Sequence, residues 1–362
     1  MRILVATDAW RPQVNGVVRS LEAMAGAAQN LGVEIDFLTP RDFNCIPMPT
    51  YPEIGLAFAT PRAVARRLEQ GYYHVHIATE GPVGIATRWH CMRVGRCFTT
   101  SYHTRFPEYI HARTAIPTSL TYALLRRFHN SGAGAMVATP SLARELAARG
   151  FRRLQRWSRG VDHQLFNPNA AIPLDFPRPI FLYAGRLAVE KNIEAFLSLD
   201  LPGTKLVAGD GPARKKLEAS FPQARFLGVK SSAELATLYA SADVFVFPSR
   251  TDTFGIVLLE AMACGLPVAA FPVPGPNDVV GTSGAGVLDE DLRAAAMAAL
   301  EIDREVPRAH ALKFTWENCA RQFLDNIAIA RGTPPTAPNF RTVSAISGEK
   351  RDFLGKRQIV QP

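Results

Sequence analysis

The chain reads VFVFPSRTDTFGIVLLEAMACGLPVAA over residues 244–270. The apolar run 244–247 is typical of a buried strand, and the longer apolar stretch that begins at Ile256 predicts a helix reaching Cys264. Gly265 suits the end of that helix, and Pro267 suits the entry to a second apolar strand. Strand, helix and strand in this order predict a parallel sheet with a crossover helix.

The same alternation extends through the rest of the chain. Further strands are predicted at 180–184 and 205–208 in the second half, and at 3–6, 35–38, 75–78, 97–100 and 136–138 in the first half. Helices are predicted at 17–31, 192–199, 213–220, 233–241 and 316–330. This pattern indicates an α/β protein made of two Rossmann-like, doubly wound parallel-sheet domains with a cleft between them.

A proline-rich stretch separates the two halves. We therefore predict a first domain over residues 1–167, a linker over 168–178 and a second domain over 179–314. Residues 332–362 are rich in Pro, Ser and Thr with scattered charges, and a disordered tail is expected there.

Composition narrows the class of protein. The chain has 362 residues, 47% hydrophobic and 20% charged, which is enough material for two buried cores. Its apolar runs are far shorter than the ~20 residues that span a bilayer. Asp8 and Arg11 interrupt the only stretch that begins like a signal peptide, so a cytoplasmic protein is expected.

Five cysteines without metal-ligand spacing predict reduced, structural thiols.

The positive charge is placed unevenly. Residues 1–167 contain 20 arginines, no lysine and 11 acidic residues, which accounts for the whole net charge of +9. Such asymmetry suggests an anionic partner, either a membrane surface, a phosphorylated acceptor or a nucleic acid, although a solvated surface explains it equally well. A nucleic-acid-binding protein remains an alternative of another class, but no reader motif supports it.

Two features of the second half are suited to a phosphate group. Arg186 follows the strand 180–184, and Lys191 precedes the next helix, at the edge of the sheet where ligands of open α/β sheets bind. Two cations there can neutralise a leaving diphosphate without a metal ion. Gly209 and Gly211 follow the next strand and allow a close backbone approach.

The most specific feature is the loop and helix over residues 252–264. Because Phe254 and Gly255 precede the helix, the backbone amides of Gly255 and Ile256 are available to a ligand. Asp252 lies ahead of the helix and Glu260 lies on it, about two turns further. Carboxylates placed in this way can accept hydrogen bonds from sugar hydroxyls.

These features, in this order, resemble the retaining GT-B glycosyltransferases of family 4, and the resemblance covers about residues 1–331. It implies that Arg186 and Lys191 hold the donor diphosphate, that Asp252 contacts the donor sugar and that Glu260 contacts the ribose. The first acid is usually Glu in that family, so Asp252 is a shorter arm. The resemblance also implies retention of the anomeric configuration without a metal or other cofactor. The helix at 315–331 would return to complete the first domain.

The first half agrees with this resemblance. The loop that contains Asn15 and Gly16 resembles the family's glycine-containing loop, so Gly16 would lie against the donor phosphates and the acceptor. His103 matches the histidine beside the reacting sugar, where it would hold the 6-hydroxyl or stabilise a cationic transition state. Asn15, Glu80 and Tyr102 are the candidate acceptor residues.

The resemblance favours mannosyl transfer from GDP-mannose, with a UDP-glucose, UDP-galactose or UDP-glucuronate donor as the alternative. A lipid or lipid-linked saccharide acceptor is expected, because 61–68 and 122–128 have the pattern of basic amphipathic helices on an anionic membrane. Each helix alone is more typical of an ordinary surface helix. A phosphorylase, an epimerase or an inactive scaffold would share the fold.

Overall fold

The computed structural model describes residues 1–13, 15–48, 51–114 and 116–333, with only the backbone described for 48, 51–54, 112 and 113. From residue 334 onward the predicted tail lies outside the described residues. Over the described ranges, two six-stranded parallel sheets and one small antiparallel pair form the frame. The prediction of an α/β protein with two doubly wound sheets is confirmed.

The first sheet has the strand order β2-β1-β5-β6-β7-β8. Its strands, with the antiparallel pair β3 and β4, are β1 (Arg2–Ala6), β2 (Glu34–Leu38), β3 (Cys45–Met48), β4 (Tyr51–Ala57), β5 (His74–Ile77), β6 (Phe98–Tyr102), β7 (Gly134–Val137) and β8 (Leu154–Arg156). The helices between them are α1 (Gly16–Asn30), α2 (Pro61–Leu68), α3 (Pro82–Arg93), α4 (Phe106–Thr114), α5 (Thr118–His129) and α6 (Pro140–Ala148).

The second sheet repeats this design with the order β11-β10-β9-β12-β13-β14. Its strands are β9 (Ile180–Ala184), β10 (Thr204–Ala208), β11 (Arg225–Gly228), β12 (Val244–Phe247), β13 (Val268–Ala270) and β14 (Gly286–Leu288). Its helices are α7 (Ile193–Leu197), α8 (Arg214–Ser220), α9 (Ser232–Ser241), α10 (Ile256–Ala263), α11 (Pro276–Val279), α12 (Leu292–Ala299) and α13 (Glu305–Ala311).

The central strands are buried on both sides because helices cover both faces of each sheet. In β9, Leu182 belongs to the core cluster on one face and Phe181 to the cluster on the other, and both side chains are fully buried. The last helix, α14 (Trp316–Ala330), returns to the first domain, where its residue Phe323 packs in the same cluster as Ile3.

The chain passes between the domains earlier than the predicted linker. Trp157 lies in the core of the first domain, whereas Val161 and Phe166 already belong to the core of the second. Leu174, within the predicted linker 168–178, packs against that second core. The prolines of this segment therefore lie along the second domain and do not form a loose connection.

The elements that were not predicted are several short strands and the helices α3, α4, α6, α11, α12 and α13. The sheet-edge strands β8, β11 and β14, together with the β3–β4 pair, were not predicted. Edge strands bury one side only, and β11 and β14 have no fully buried residue, so neither leaves a continuous apolar run in the sequence. The predicted strands at 180–184 and 244–247 match the structure residue for residue.

Gly160 marks the crossover between the domains and carries the first prediction. A Cβ added there would lie 2.3 Å from the backbone nitrogen of Trp316, at the start of α14. Because backbone cannot yield as a flexible side chain does, we expect Gly160→Ala to lower the free energy of unfolding by about 2 kcal/mol. Urea unfolding followed by circular dichroism measures this.

The matched control is Gly26→Ala within α1, where an added Cβ meets nothing within 4 Å. It should stabilise the protein by about 0.5–1 kcal/mol through helix propensity. Equal unfolding midpoints for Gly160→Ala and the wild type would contradict the tight crossover.

Candidate active site

The carboxyl ends of the two sheets face each other, and several contacts join the domains. The Arg19 guanidinium of α1 donates to Glu260 Oε1 of α10 at 2.6 Å. The Thr253 hydroxyl donates to the backbone oxygen of His103 at 2.7 Å. A Cβ added at Gly16 would lie 4.0 Å from the Ile256 side chain. Candidate residues from both halves of the sequence thus meet in one cleft.

The loop of Arg186 is held by close backbone packing. A Cβ at Gly209 would lie 1.9 Å from the Gly185 oxygen, and one at Gly211 would lie 2.4 Å from the Leu187 oxygen. The Leu187 amide donates to Asp210 O at 2.9 Å. Glycine is therefore required at 209 and 211 by neighbouring backbone. The close backbone approach predicted at Gly209 and Gly211 is present, and it is made to the loop that carries the exposed Arg186.

Lys191 and Asp252 form an ion pair at the mouth of the cleft. The Lys191 ammonium lies 2.5 Å from Asp252 Oδ1. Burial opposes the lysine charge, but Asp252 and Tyr109 outweigh it and raise the pKa of Lys191. Tyr109 belongs to α4 of the first domain and hydrogen bonds with Thr251. Among the described residues, the buried Asp252 Oδ2 has no hydrogen-bond partner, so it is available to a ligand hydroxyl.

The loop before α10 is shaped by Gly255, whose φ of 81° lies in the left-handed region. Phe254 is buried and fixes the loop on the second core. The amides of Ile256 and Val257, the first two of α10, have no acceptor within the helix, whereas the Leu258 amide already donates to Gly255 O at 2.9 Å.

Glu260 lies on α10 and is 2% exposed. Burial raises the pKa of Glu260, and this is opposed by Arg19 and by the Tyr239 hydroxyl, which donates to Oε2 at 3.4 Å. The carboxylate is thus held by one residue of each domain. A cavity of 240 Å³ lies beside this pair, lined also by Val161 and Trp316.

His103 is held as one neutral tautomer. Its Nδ1 lies 3.0 Å from Arg159 Nη2, and since arginine only donates, Nδ1 accepts. The proton is then on Nε2, which donates to Ser101 Oγ at 2.9 Å. Burial, and then the nearby Arg159 and His76, lower the pKa of His103 well below its usual range. Both ring nitrogens are occupied, so the ring is oriented by the protein itself.

The three candidate acceptor residues make contacts within the first domain. Asn15 caps α1, accepting from the Val17 and Val18 amides at 3.0 and 3.1 Å. Glu80 Oε1 lies 3.0 Å from His129 Nε2. Tyr102 is 1% exposed and packs in a core cluster, so its side chain cannot line the cleft, and the prediction of an acceptor contact for Tyr102 is wrong in this arrangement.

Sequence reasoning missed four residues of the cleft: Arg19, Tyr109, Arg159 and Thr253. Arg19 lies one turn beyond Gly16 on the same helix, which is a signal that helical spacing contains. Arg159 follows β8, and it was not singled out because that edge strand was not predicted. A second cavity, of 290 Å³, lies on the first domain and is lined by Trp10, Arg41 and Phe43 among others.

Clusters of metal ligands and membrane-spanning helices are both absent from the described residues. No group of three or more His, Cys, Asp or Glu side chains that could hold a metal ion occurs among the described residues. Within those same residues, every helix is too short or too polar to cross a bilayer.

Sequence comparison finds relatives for both halves. Residues 14–165 match a family model described as "Glycosyltransferase Family 4", and residues 178–303 match one described as "Glycosyl transferases group 1". The chain is 29% identical over 316 residues to a GDP-mannose-dependent alpha-mannosyltransferase of Mycobacterium tuberculosis, covering 80% of this chain and 83% of the relative. It is 24% identical over 348 residues to an alpha-monoglucosyldiacylglycerol synthase of Streptococcus pneumoniae, covering 83% and 78%.

Comparison of folds agrees with the sheet topology. Sucrose-phosphate synthase from Thermosynechococcus elongatus is similar with a TM-score of 0.72 and 20% identity, over 91% of this chain and 99% of that one. A likeness at this level of identity establishes the GT-B fold.

The buried histidines predict how stability depends on pH. Burial lowers the pKa of His74 to about 3 and those of His76 and His103 well below the usual value. The unfolded chain, with histidine pKa values near 6.5, therefore binds more protons in acid. Each such histidine should remove about 1.4 kcal/mol of unfolding free energy per pH unit below about pH 6. Urea unfolding between pH 7.5 and 5 measures this loss.

Replacing one buried histidine separates this effect from the titration of carboxylates. His76→Gln should give a flatter pH dependence than the wild type, whereas the exposed control His111→Gln should leave it unchanged. The same slope in both variants would mean that His76 is not held neutral.

Proposed function

The chain belongs to the glycosyltransferases of family 4, and from that premise we propose that it moves a hexosyl group from a nucleotide sugar to a lipid-linked or saccharide acceptor with retention of configuration. One observation carries the proposal. The Lys191–Asp252 pair lies where the two domains meet, and Asp252 has an unpartnered buried oxygen beside a lysine held in its charged form. A cation for a diphosphate and an acceptor for a sugar hydroxyl are thereby adjacent.

The residues take the following roles in this proposal. Lys191 and Arg186 balance the charge of the departing nucleoside diphosphate, so no metal ion is needed for that purpose. Asp252 Oδ2 accepts from a hydroxyl of the donor sugar. Glu260 accepts hydrogen bonds from the ribose hydroxyls. It does so either while it stays paired with Arg19 or after that ion pair has opened. Gly16 has no side chain, so the donor phosphates can approach the backbone at the start of α1.

The bond between the anomeric carbon and the diphosphate oxygen breaks as an acceptor hydroxyl attacks from the same face. The hydroxyl proton passes to the departing diphosphate, which is the base nearest to it. The His103 ring is neutral and both of its nitrogens are already hydrogen bonded. In this proposal His103 therefore acts through its backbone carbonyl, which lies at the domain junction. The carbonyl oxygen stabilises positive charge on the sugar. Closure of the cleft excludes water.

For the donor we propose GDP-mannose, because the M. tuberculosis relative is named as GDP-mannose-dependent; a UDP-sugar is the alternative. For the acceptor we propose a glycolipid or its precursor, because the S. pneumoniae relative is named as a monoglucosyldiacylglycerol synthase. The 290 Å³ cavity beside Trp10, Arg41 and Phe43 combines aromatic walls with a cation, which suits a polar head group on an apolar chain.

Donor hydrolysis tests this function without knowledge of the acceptor. Purified protein is incubated in EDTA with GDP-mannose, UDP-glucose, UDP-galactose or UDP-glucuronate, and the released diphosphate is quantified. We expect slow release of GDP, reduced about 10²–10³-fold by Lys191→Ala because a charge stabiliser of the transition state is lost. Lys216→Ala, at a 74% exposed lysine paired with Glu194, is the matched control. Failure of every nucleotide sugar to bind in calorimetry would refute the proposal.

Asp252 gives a sharper test of the sugar contact. Asp252→Asn keeps the size of the side chain but removes the charge that holds Lys191, so kcat for donor hydrolysis should fall about 10²-fold. Asp252→Glu, which introduces the residue usual in the family, should retain more activity than Asp252→Asn. An Asp252→Asn enzyme with unchanged kcat would assign the sugar contact elsewhere. Product analysis by NMR distinguishes a retaining transferase from a phosphorylase or an epimerase.

A further inference from the structure

The outer sides of α3 and α5 expose large apolar side chains. On α3 they are Ile85, Trp89 and Met92, which are 54%, 45% and 51% exposed. Their spacing of four and three residues places them on one face of the helix. On α5, Leu120 and Leu124 are four residues apart and 56% and 62% exposed. We call these five residues the apolar face.

The two helices lie on the same side of the first sheet. Val83 of α3 and Phe128 of α5 belong to one core cluster beneath them. Arg88 joins the helices, because its Nε donates to Ser131 Oγ at 2.7 Å and its guanidinium lies 5.7 Å from the centre of the Phe128 ring. Each helix thus already buries one apolar side in the first domain, and the residues of the apolar face lie on its exposed side.

The surroundings of the apolar face are basic. Helices α3 and α5 contain four arginines, Arg88, Arg93, Arg126 and Arg127, and no acidic residue. The Arg93 guanidinium lies 5.3 Å from the centre of the Trp89 ring. Large apolar side chains, a tryptophan and arginines on a convex surface are the combination that binds the interface of an anionic bilayer.

Helix α2, by contrast, does not provide such a surface. Its apolar residues Val64 and Leu68 are buried in the first domain, and the sides that remain exposed carry Arg62 and Arg66. The amphipathic pattern of 61–68 therefore serves the protein's own core.

We propose that the apolar face and its arginines dock the first domain on an anionic membrane surface, a proposal that deepens the proposed function by placing the enzyme where a lipid acceptor is found. Ile85 and Leu120 lie near the starts of their helices, at the edge of the sheet that forms the cleft. One end of the docked surface therefore lies at the cleft edge of the sheet, while Trp89, Met92 and Leu124 lie further along their helices. A second copy of the chain is a poorer occupant, since a symmetric contact would bring these arginines against each other.

Vesicle co-sedimentation tests the docking. The full chain is mixed with vesicles of phosphatidylcholine alone or of phosphatidylcholine and phosphatidylglycerol in equal parts. We expect binding to the anionic vesicles that weakens as salt is raised. Trp89→Ser combined with Leu124→Ser should reduce the bound fraction about tenfold, since the inserted apolar area is lost. Arg93→Glu combined with Arg127→Glu should abolish the preference for anionic vesicles.

The matched control is Ile172→Ser combined with Leu312→Ser, at residues 53% and 47% exposed outside the first domain, and it should bind as the wild type does. A blue shift of tryptophan emission on binding that is absent in Trp89→Phe would support insertion of that ring. Equal binding by the wild type and the Trp89→Ser, Leu124→Ser variant would overturn the proposal, as would a wild-type dimer that this variant converts to monomer.

Donor hydrolysis without vesicles separates the two proposals. The Trp89→Ser, Leu124→Ser variant should release GDP at the wild-type rate, because neither Trp89 nor Leu124 is among the residues proposed to hold the donor. Membrane binding without donor hydrolysis in the wild type would refute the proposed function and leave the docking surface standing. Donor hydrolysis without membrane binding would refute the docking surface and leave the proposed function standing.

Discussion

The burial of the Glu260 carboxylate at the boundary of the domains is the constraint on which the arrangement depends. A carboxylate that is 2% exposed is strongly destabilising unless a cation or several donors compensate it. Among the residues that the structure describes, the second domain supplies the long Tyr239 contact to this carboxylate, and the cation comes from Arg19 of the first domain. This pair fixes α1 against α10, and Gly16 then faces Ile256 while Thr253 reaches His103.

The same pairing connects substrate binding to the position of the domains. Under the proposed roles, the ribose hydroxyls and Arg19 either compete for the Glu260 carboxylate or share it. The donor sugar meets Asp252, which is already paired with Lys191. Two carboxylates of the cleft are therefore already paired with cations before the donor enters, and the donor exchanges contacts within the cleft. A ligand that prefers one arrangement of these charges shifts the equilibrium between domain positions by the difference in its affinity for them.

His103 shows how a buried cation can fix the tautomer and the orientation of a neighbouring ring. Arg159 donates to the Trp157 and Ser158 oxygens as well as to His103, and burial lowers its pKa. Because arginine cannot accept a hydrogen bond, only one tautomer of His103 satisfies this contact. The ring is thereby held, and the backbone oxygen of His103 is placed where Thr253 of the other domain reaches it.

The sequence by itself determined the fold class and the central strands of the second sheet, because buried parallel strands leave continuous apolar runs. It also placed the candidate residues Asp252 and Glu260 on one short loop and helix. It could not determine the partners of those residues. Arg19 and Glu260 are 241 positions apart, and Arg159 and His103 are 56 apart, so their contacts exist only once both sheets and the crossover at Gly160 are in place. Tyr102 and α2 illustrate the same limit: which side of an apolar or amphipathic segment faces the core is decided by the neighbours that the tertiary structure packs against it.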